Sequence, residues 1–222
     1  MNNETEKYLL SKIRGIYKSF DLGHNEKHFD EVFYGMKRIL ENEETPGYVR
    51  EKSDALLIAA AYHDTGLLIE RENHEKFSVI IFKNDHEFRQ ICQMSDDDRE
   101  LVEKIIGEHR SRYSDTTGFS NYLKDADKVS GLNMFRSTER VVGFNIMKWV
   151  DDKKSITDIE YNALLKKCLS VIENRAEFRG FRTNAANTAF KKEIDEFVSI
   201  KDDRNAYESV VKSWINSMIN HY

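Results

Sequence analysis

Apolar residues recur at helical spacing along almost the whole chain. Phe29, Val32, Phe33, Met36 and Leu40 make one stripe, the period expected of a helix with one buried face. Residues 55–62 form an unbroken run of small and apolar side chains, which predicts a helix buried on all sides. Ser53 is placed to cap its start and Gly66 to close its end. Ser95, followed three residues later by Asp98, predicts a capped start for a helix with Leu101, Val102, Ile105 and Ile106 on one face. Residues 121–132 predict a short helix. Ser155 and Asp158 repeat the capping pattern ahead of Ile159, Leu164 and Leu165, and Thr183 is placed to start a helix holding Phe190, Ile194 and Phe197. A last helix carries Tyr207, Val210, Val211, Trp214, Ile215 and Met218. Residues 79–82 are strand-like, but with no partner run they predict no sheet. The pattern therefore predicts an all-α fold: one domain over residues 1–222, with a core at about 20–135 and additional C-terminal helices from about 136.

Composition fits that picture. The 222 residues are 33% charged and 40% hydrophobic, the balance of a globular chain with a core. One proline and ten glycines leave few helix breakers. A formal charge of -5 argues against bulk nucleic-acid binding, which needs clustered positive charge. The first residues, MNNETEKYLL, lack the basic and apolar regions of a signal peptide. No run approaches the roughly 20 apolar residues of a membrane span. A cytoplasmic location without a membrane partner is the expectation, and Cys92 and Cys168 are expected to be unpaired thiols.

Three short segments carry the chemistry: His24-Asn25-Glu26-Lys27-His28, His63-Asp64 and Asp125-Ala126-Asp127-Lys128. His28 immediately precedes the Phe29 stripe. His63 and Asp64 end the most apolar helix, where ionisable groups are costly unless paired. Asp127 lies four residues after Leu123, which turns its carboxylate toward the same interior. Alone, His63 reads as a hydrogen-bonded core histidine and Asp127 as a solvated carboxylate. Jointly, His28, His63, Asp64 and Asp127 read as a metal site, because an ion at the end of a buried helix needs a compensating charge. Two imidazoles and two carboxylates suit Mn, Fe, Co, Ni or Zn and tolerate Mg. A divalent ion there polarises a phosphoryl oxygen and brings the pKa of a bound water toward about 7.

At these residues the chain resembles the HD-domain superfamily of metal-dependent phosphohydrolases. His28, His63, Asp64 and Asp127 match its signature residue by residue. Over about residues 20–135 it is similar to small bacterial HD-domain hydrolases, through His24 with His28, HDTG at 63–66, HEKFS at 74–78, IIGEH ending at His109 and DADKVSGL from 125. A weaker echo continues in FRTNAAN from 181. The resemblance implies a helical bundle, a divalent ion and a small phosphorylated substrate, with a nucleotide favoured. The first segment also resembles the H-N-x-x-H motif of class I cyclic-nucleotide phosphodiesterases, which implies that His28 holds metal and His24 protonates the leaving oxygen. The alternative for His24 is a backbone hydrogen bond at the helix start. The rest of the phosphodiesterase pattern is missing, so cyclic nucleotides are not implied.

His74 and His109 remain open between a second metal with Asp64 as its bridge, a contact to substrate phosphate, and core hydrogen bonding; one metal is the leading expectation. His86 and His221 are expected at the surface. Arg71, Arg110, Arg112 and Lys128 flank the site residues and could steer an anion, Lys128 being the best placed. The leading function is a phosphomonoesterase or phosphodiesterase in which Asp64 or Asp127 holds the water's proton. The alternative is a regulatory module that binds metal or nucleotide without catalysis. Deoxynucleoside monophosphatase and guanosine tetraphosphate hydrolase activities rank lower, because those groups place an acidic residue soon after HD and this chain has Thr65 to Ile69 there.

Overall fold

The computed structural model describes residues 1–21, 23–151, 157–176, 180–199 and 204–219. Its helices are α1 (Asn3–Tyr8), α2 (Arg14–Ile16), α3 (Glu26–Glu41), α4 (Gly47–Arg50), α5 (Ser53–Tyr62), α6 (His74–Asn84), α7 (His86–Ile91), α8 (Asp96–Glu108), α9 (Ser120–Lys128), α10 (Met134–Asp151), α11 (Asp158–Ala176), α12 (Asn184–Ala189), α13 (Lys191–Ser199) and α14 (Arg204–Ile219). Among the described residues no strand forms, so the fold is all-α, and residues 79–82 lie inside α6. No described helix is long and apolar enough to cross a membrane.

The chain packs as two compact units. The first holds Met1–Phe20, His24–Val129 and Phe181–Ala189. Its centre is α5, whose residues from Ala55 to Tyr62 are all buried, as a helix apolar all round must be. α3, α8 and α9 pack around it. α3 buries Phe29, Val32, Phe33, Met36, Ile39 and Leu40, and the Asn25 side chain caps its start by accepting from the Lys27 N–H. Ser95 caps α8 by accepting from the Asp98 N–H. α9 is held by a remote cap. Asp115 accepts from the N–H groups of Thr117, Gly118, Ser120 and Asn121, and Gly118 takes the left-handed φ of 77° that closes this turn.

The second unit holds Asp21–Gly23, Ser130–Gly180 and Phe190–Tyr222. In it α10, α11 and α14 bury Val142, Leu164, Leu165, Cys168, Leu169, Ile172, Tyr207, Val211 and Ile215. Cys92 is half-buried and Cys168 buried, and neither is in a disulfide.

Four local expectations change. Ser53 does not cap α5; its hydroxyl donates to the Arg50 carbonyl instead. Gly66 is required by close approach rather than by a left-handed turn: a Cβ there would stand 2.0 Å from the His74 carbonyl oxygen and 2.5 Å from the Ser78 nitrogen. Thr183 does start a helix, its hydroxyl accepting from the Ala186 N–H, but α12 ends at Ala189 and the chain begins again as α13. Ile194 and Phe197 therefore belong to a separate helix. At α11 the capping pair is Thr157 with Glu160, each accepting from the other's N–H. Ser155 and Ile156 lie outside the described residues, as do the Ile159 side chain and His221.

Candidate metal centre

Asp64 stands where two sets of imidazoles meet. Its Oδ2 is 3.4 Å from His28 Nε2 and 3.2 Å from His63 Nε2. Its Oδ1 is 3.1 Å from His74 Nε2 and 3.6 Å from His109 Nε2. Asp127 closes the first set, with Oδ1 3.1 Å from His28 Nε2 and 3.9 Å from His63 Nε2. Five elements therefore converge. His28 comes from the first turn of α3, His63 and Asp64 from the end of α5, His74 from the start of α6, His109 from the end of α8 and Asp127 from α9. His28, His63 and Asp64 are buried, while the Asp127 side chain is 35% exposed and marks the open side.

Three of the imidazoles are oriented in the same way. The Nδ1 atoms of His63, His74 and His109 lie 2.8, 2.9 and 2.8 Å from the carbonyls of Ala60, Arg71 and Ile106, each three residues earlier. A carbonyl can only accept, so these bonds place the ring proton on Nδ1 and leave Nε2 with a lone pair. Such a bond is the usual support of a metal-binding histidine. Buried His63 Nε2 has no hydrogen-bond partner. His74 Nε2 and His109 Nε2 face each other at 3.1 Å beside a carboxylate oxygen, an arrangement of acceptors that needs a positive charge between them. The ligand atoms of His28, His63 and Asp64, and those of Asp64, His74 and His109, each gather within 4.8 Å. Nitrogen and carboxylate donors at these separations suit a borderline divalent ion with bonds of about 2.0–2.2 Å.

Without an ion the charges act on one another. Burial lowers the His63 pKa, but Asp64 and then Asp127 outweigh it and lift the group to about 9. Burial raises Asp64, while His63, His109 and His28 pull it well below the usual carboxylate range. Asp127 is held low against burial, chiefly by His28.

The HDTG and HEKFS segments serve this geometry together. The Ser78 hydroxyl donates to the His63 carbonyl at 2.7 Å and accepts from the Gly66 N–H at 2.8 Å. Thr65 Oγ1 donates to the Tyr62 carbonyl at 2.8 Å. The chain is thus folded tightly behind the His63-Asp64 pair.

His24 sits in the turn before α3, half-buried, its ring 5.8 Å from that of His28 and nearly perpendicular to it. Lys128 is exposed on α9, within the field of Asp127, Asp125, Lys124 and Arg182. Arg110 and Arg112 are not arranged as free anion steerers. They bind buried Glu75 at 3.3 and 2.6 Å, and the Tyr113 hydroxyl joins at 2.8 Å. Burial raises the Glu75 pKa, but Tyr113, Arg112 and Arg110 bring it down to about 2. Their work is to fix the residue next to His74. Arg71 contributes its carbonyl to His74, and His86 is exposed.

Two supports are missing from the sequence reading. The Tyr17 hydroxyl, fully buried, donates to the Ala61 carbonyl at 3.0 Å and accepts from the Asp64 N–H at 3.3 Å. The spacing of Leu9, Ile13 and Tyr17, all buried, is the signal that could have found it. Asp125 is the other: its carboxylate accepts from the N–H groups of Arg182 and Thr183 at 2.9 and 2.8 Å and from the Thr183 hydroxyl at 2.9 Å. The FRTNAAN segment is therefore tied to the helix that carries Asp127.

The HD domain family model matches residues 26–132, a span that contains every candidate ligand. This part of the chain belongs to the HD-domain superfamily. No curated protein and no solved structure matches the chain.

Proposed function

We propose that the protein is a metal-dependent phosphohydrolase acting on a small phosphorylated metabolite, a nucleotide above all. The observation that carries this reading is Asp64, with one oxygen toward His28 and His63 and the other toward His74 and His109. That arrangement offers two donor sets that share Asp64. His28, His63, Asp64 and Asp127 would hold one ion, and Asp64, His74 and His109 a second. A divalent ion in this position supplies a Lewis acid for the phosphoryl oxygens and an acidified water.

The chain's own groups do the rest. Asp127, at the open side and held ionised by His28, accepts the proton of the attacking water. His24, beside His28, donates a proton to the leaving oxygen. Buried Asp64 keeps both carboxylate oxygens fixed, and the backbone bonds to Nδ1 keep the imidazoles aimed. Positioning of this kind accounts for most of the catalysis in phosphoryl transfer.

The test is elemental analysis of the purified protein, with a phosphate-release screen over nucleotides and other phosphate esters. A bound divalent metal, with release abolished in Asp64→Asn, is the expected result. A protein that takes up no metal from Mn, Fe, Co, Ni, Zn or Mg and releases no phosphate would overturn the assignment and favour a purely regulatory module.

A further inference from the structure

Positive charge gathers beside the open edge of the centre, in residues that the metal ligands do not use. At 3.6 residues per turn, Lys124 and Lys128 lie one turn apart on the same side of α9. They fall in the arc between Asp127, which faces His28, and Asp125, which faces the segment before α12. Through its two backbone bonds and the Thr183 hydroxyl, Asp125 pins Arg182 against that side. The Arg182 charge therefore lies near those of Lys124 and Lys128, alongside the carboxylates on this side, Glu108, Asp115, Asp125 and Asp127.

The carboxylates near this group are engaged elsewhere. Asp115 holds the start of α9, Glu108 accepts from Thr116 and Ser120, and Asp125 holds residues 182 and 183. Among the described residues, no carboxylate stands at salt-bridge distance from Lys124, Lys128 or Arg182. Lys124 is only 3% exposed, and its ammonium donates to the Tyr113 carbonyl at 2.7 Å. One buried ammonium and two exposed cations, on α9 and on the segment that Asp125 ties to it, offer an anion three donor groups. Arginine and lysine in combination are a natural phosphate receptor, one by its planar fork and the other as a point charge.

We infer that Lys124, Lys128 and Arg182 form a subsite for a second phosphoryl group, so that the substrate carries at least two phosphates, as nucleoside di- and triphosphates do. The inference rests on the phosphohydrolase reading for its word "substrate", whereas the anion site itself does not.

The test uses the full chain, freed of divalent metal by chelation and dialysis, titrated calorimetrically with inorganic tripolyphosphate and with orthophosphate. Wild type should bind tripolyphosphate more tightly than orthophosphate, with an affinity that falls as salt rises. Arg182→Ala and Lys128→Ala should each weaken it by about tenfold or more, as loss of a charge-assisted contact does. Both residues are exposed, so folding, checked by circular dichroism, should persist; buried Lys124 is left intact for that reason. In the metal-loaded enzyme Arg182→Ala should raise KM for a nucleoside triphosphate far more than KM for an aryl monophosphate. Equal tripolyphosphate affinity in wild type and both variants would overturn the subsite, even if the protein hydrolyses aryl phosphate. Binding lost in the variants, in a protein that holds no metal and hydrolyses nothing, would support the anion site and overturn the hydrolase reading instead.

Discussion

His74 Nε2 and His109 Nε2 lie 3.1 Å apart although both rings have their Nδ1 atoms committed to backbone carbonyls. Two ring lone pairs facing each other beside the Asp64 carboxylate are repulsive unless a cation or an added proton intervenes. The first prediction is therefore one of stoichiometry. Protein loaded with Mn or Zn and desalted should carry two ions per chain. His109→Ala should carry one, because the set formed by His28, His63, Asp64 and Asp127 is untouched. Two ions retained in that variant would exclude His109 as a ligand.

Chelation should cost stability. An ion that binds only the folded chain stabilises it by about 2.7 kcal/mol at a free concentration one hundred times its Kd. For a chain of this length each kcal/mol is worth about 2–4 °C in Tm. A melt with a strong chelator should thus fall several degrees below the metal-loaded one. Superimposable melts would argue against a resident ion at the end of α5.

The cap on α9 gives a pH dependence away from the metal ligands. Burial raises the Asp115 pKa, but the N–H groups of Asn121, Thr117 and Gly118 and the Thr117 hydroxyl overcome it and hold the carboxyl below its usual value. A depressed folded pKa gives stability that is fully present above the unfolded value of about 3.9 and is lost as pH falls through the folded value. Asp115→Ala should therefore lower stability at pH 7 by about 1–2 kcal/mol, the cost of a lost helix cap. The difference from wild type, measured by urea denaturation, should narrow below about pH 4. A difference that stayed constant down to pH 3 would show that the charge on Asp115 contributes nothing.

Arg112 separates a supporting cation from a substrate-binding one. Its guanidinium is 2.6 Å from buried Glu75, so Arg112→Ala should lower Tm measurably by removing one of the donors that hold that carboxylate. Its KM for phosphate esters should stay near the wild-type value. A raised KM with unchanged Tm would return Arg112 to the substrate.

The contrast between Arg112 and α3 shows what a sequence can carry. The α3 stripe, the buried run of α5 and the cap at Ser95 are local patterns, and each forms as its periodicity predicts. The ligand segments were legible because every one ends or begins a helix with an apolar face. Asp125 and Asp127 show the limit. Two residues apart on a helix, they point about 200° away from each other, so both cannot face one ion. Which of them does depends on whether α9 meets α3 or the Phe181–Thr183 segment on a given side, and that is a tertiary fact. Gly66, likewise, is explained only by the α6 backbone pressed against it, and Arg110 and Arg112 only by Glu75, 35 and 37 residues away.

The neighbouring histidines of the first segment provide the sharpest test of the mechanism. His28 is buried with Nε2 3.1 Å from Asp127 and 3.4 Å from Asp64, so His28→Ala should remove an ion and the activity together. His24 is half-buried in the turn before α3, its ring 5.8 Å from that of His28. His24→Ala should therefore keep its metal and turn over slowly. General acid catalysis contributes roughly 10²–10⁴-fold and matters least when the leaving oxygen is already acidic. The loss should accordingly be large on a nucleotide and small on an activated aryl phosphate ester. Both variants are to be assayed on both substrates after their bound metal has been measured. If His24→Ala loses metal as completely as His28→Ala, His24 is a ligand or a support of one. If it slows neither substrate, His24 only begins the helix, and the leaving group must draw its proton from solvent.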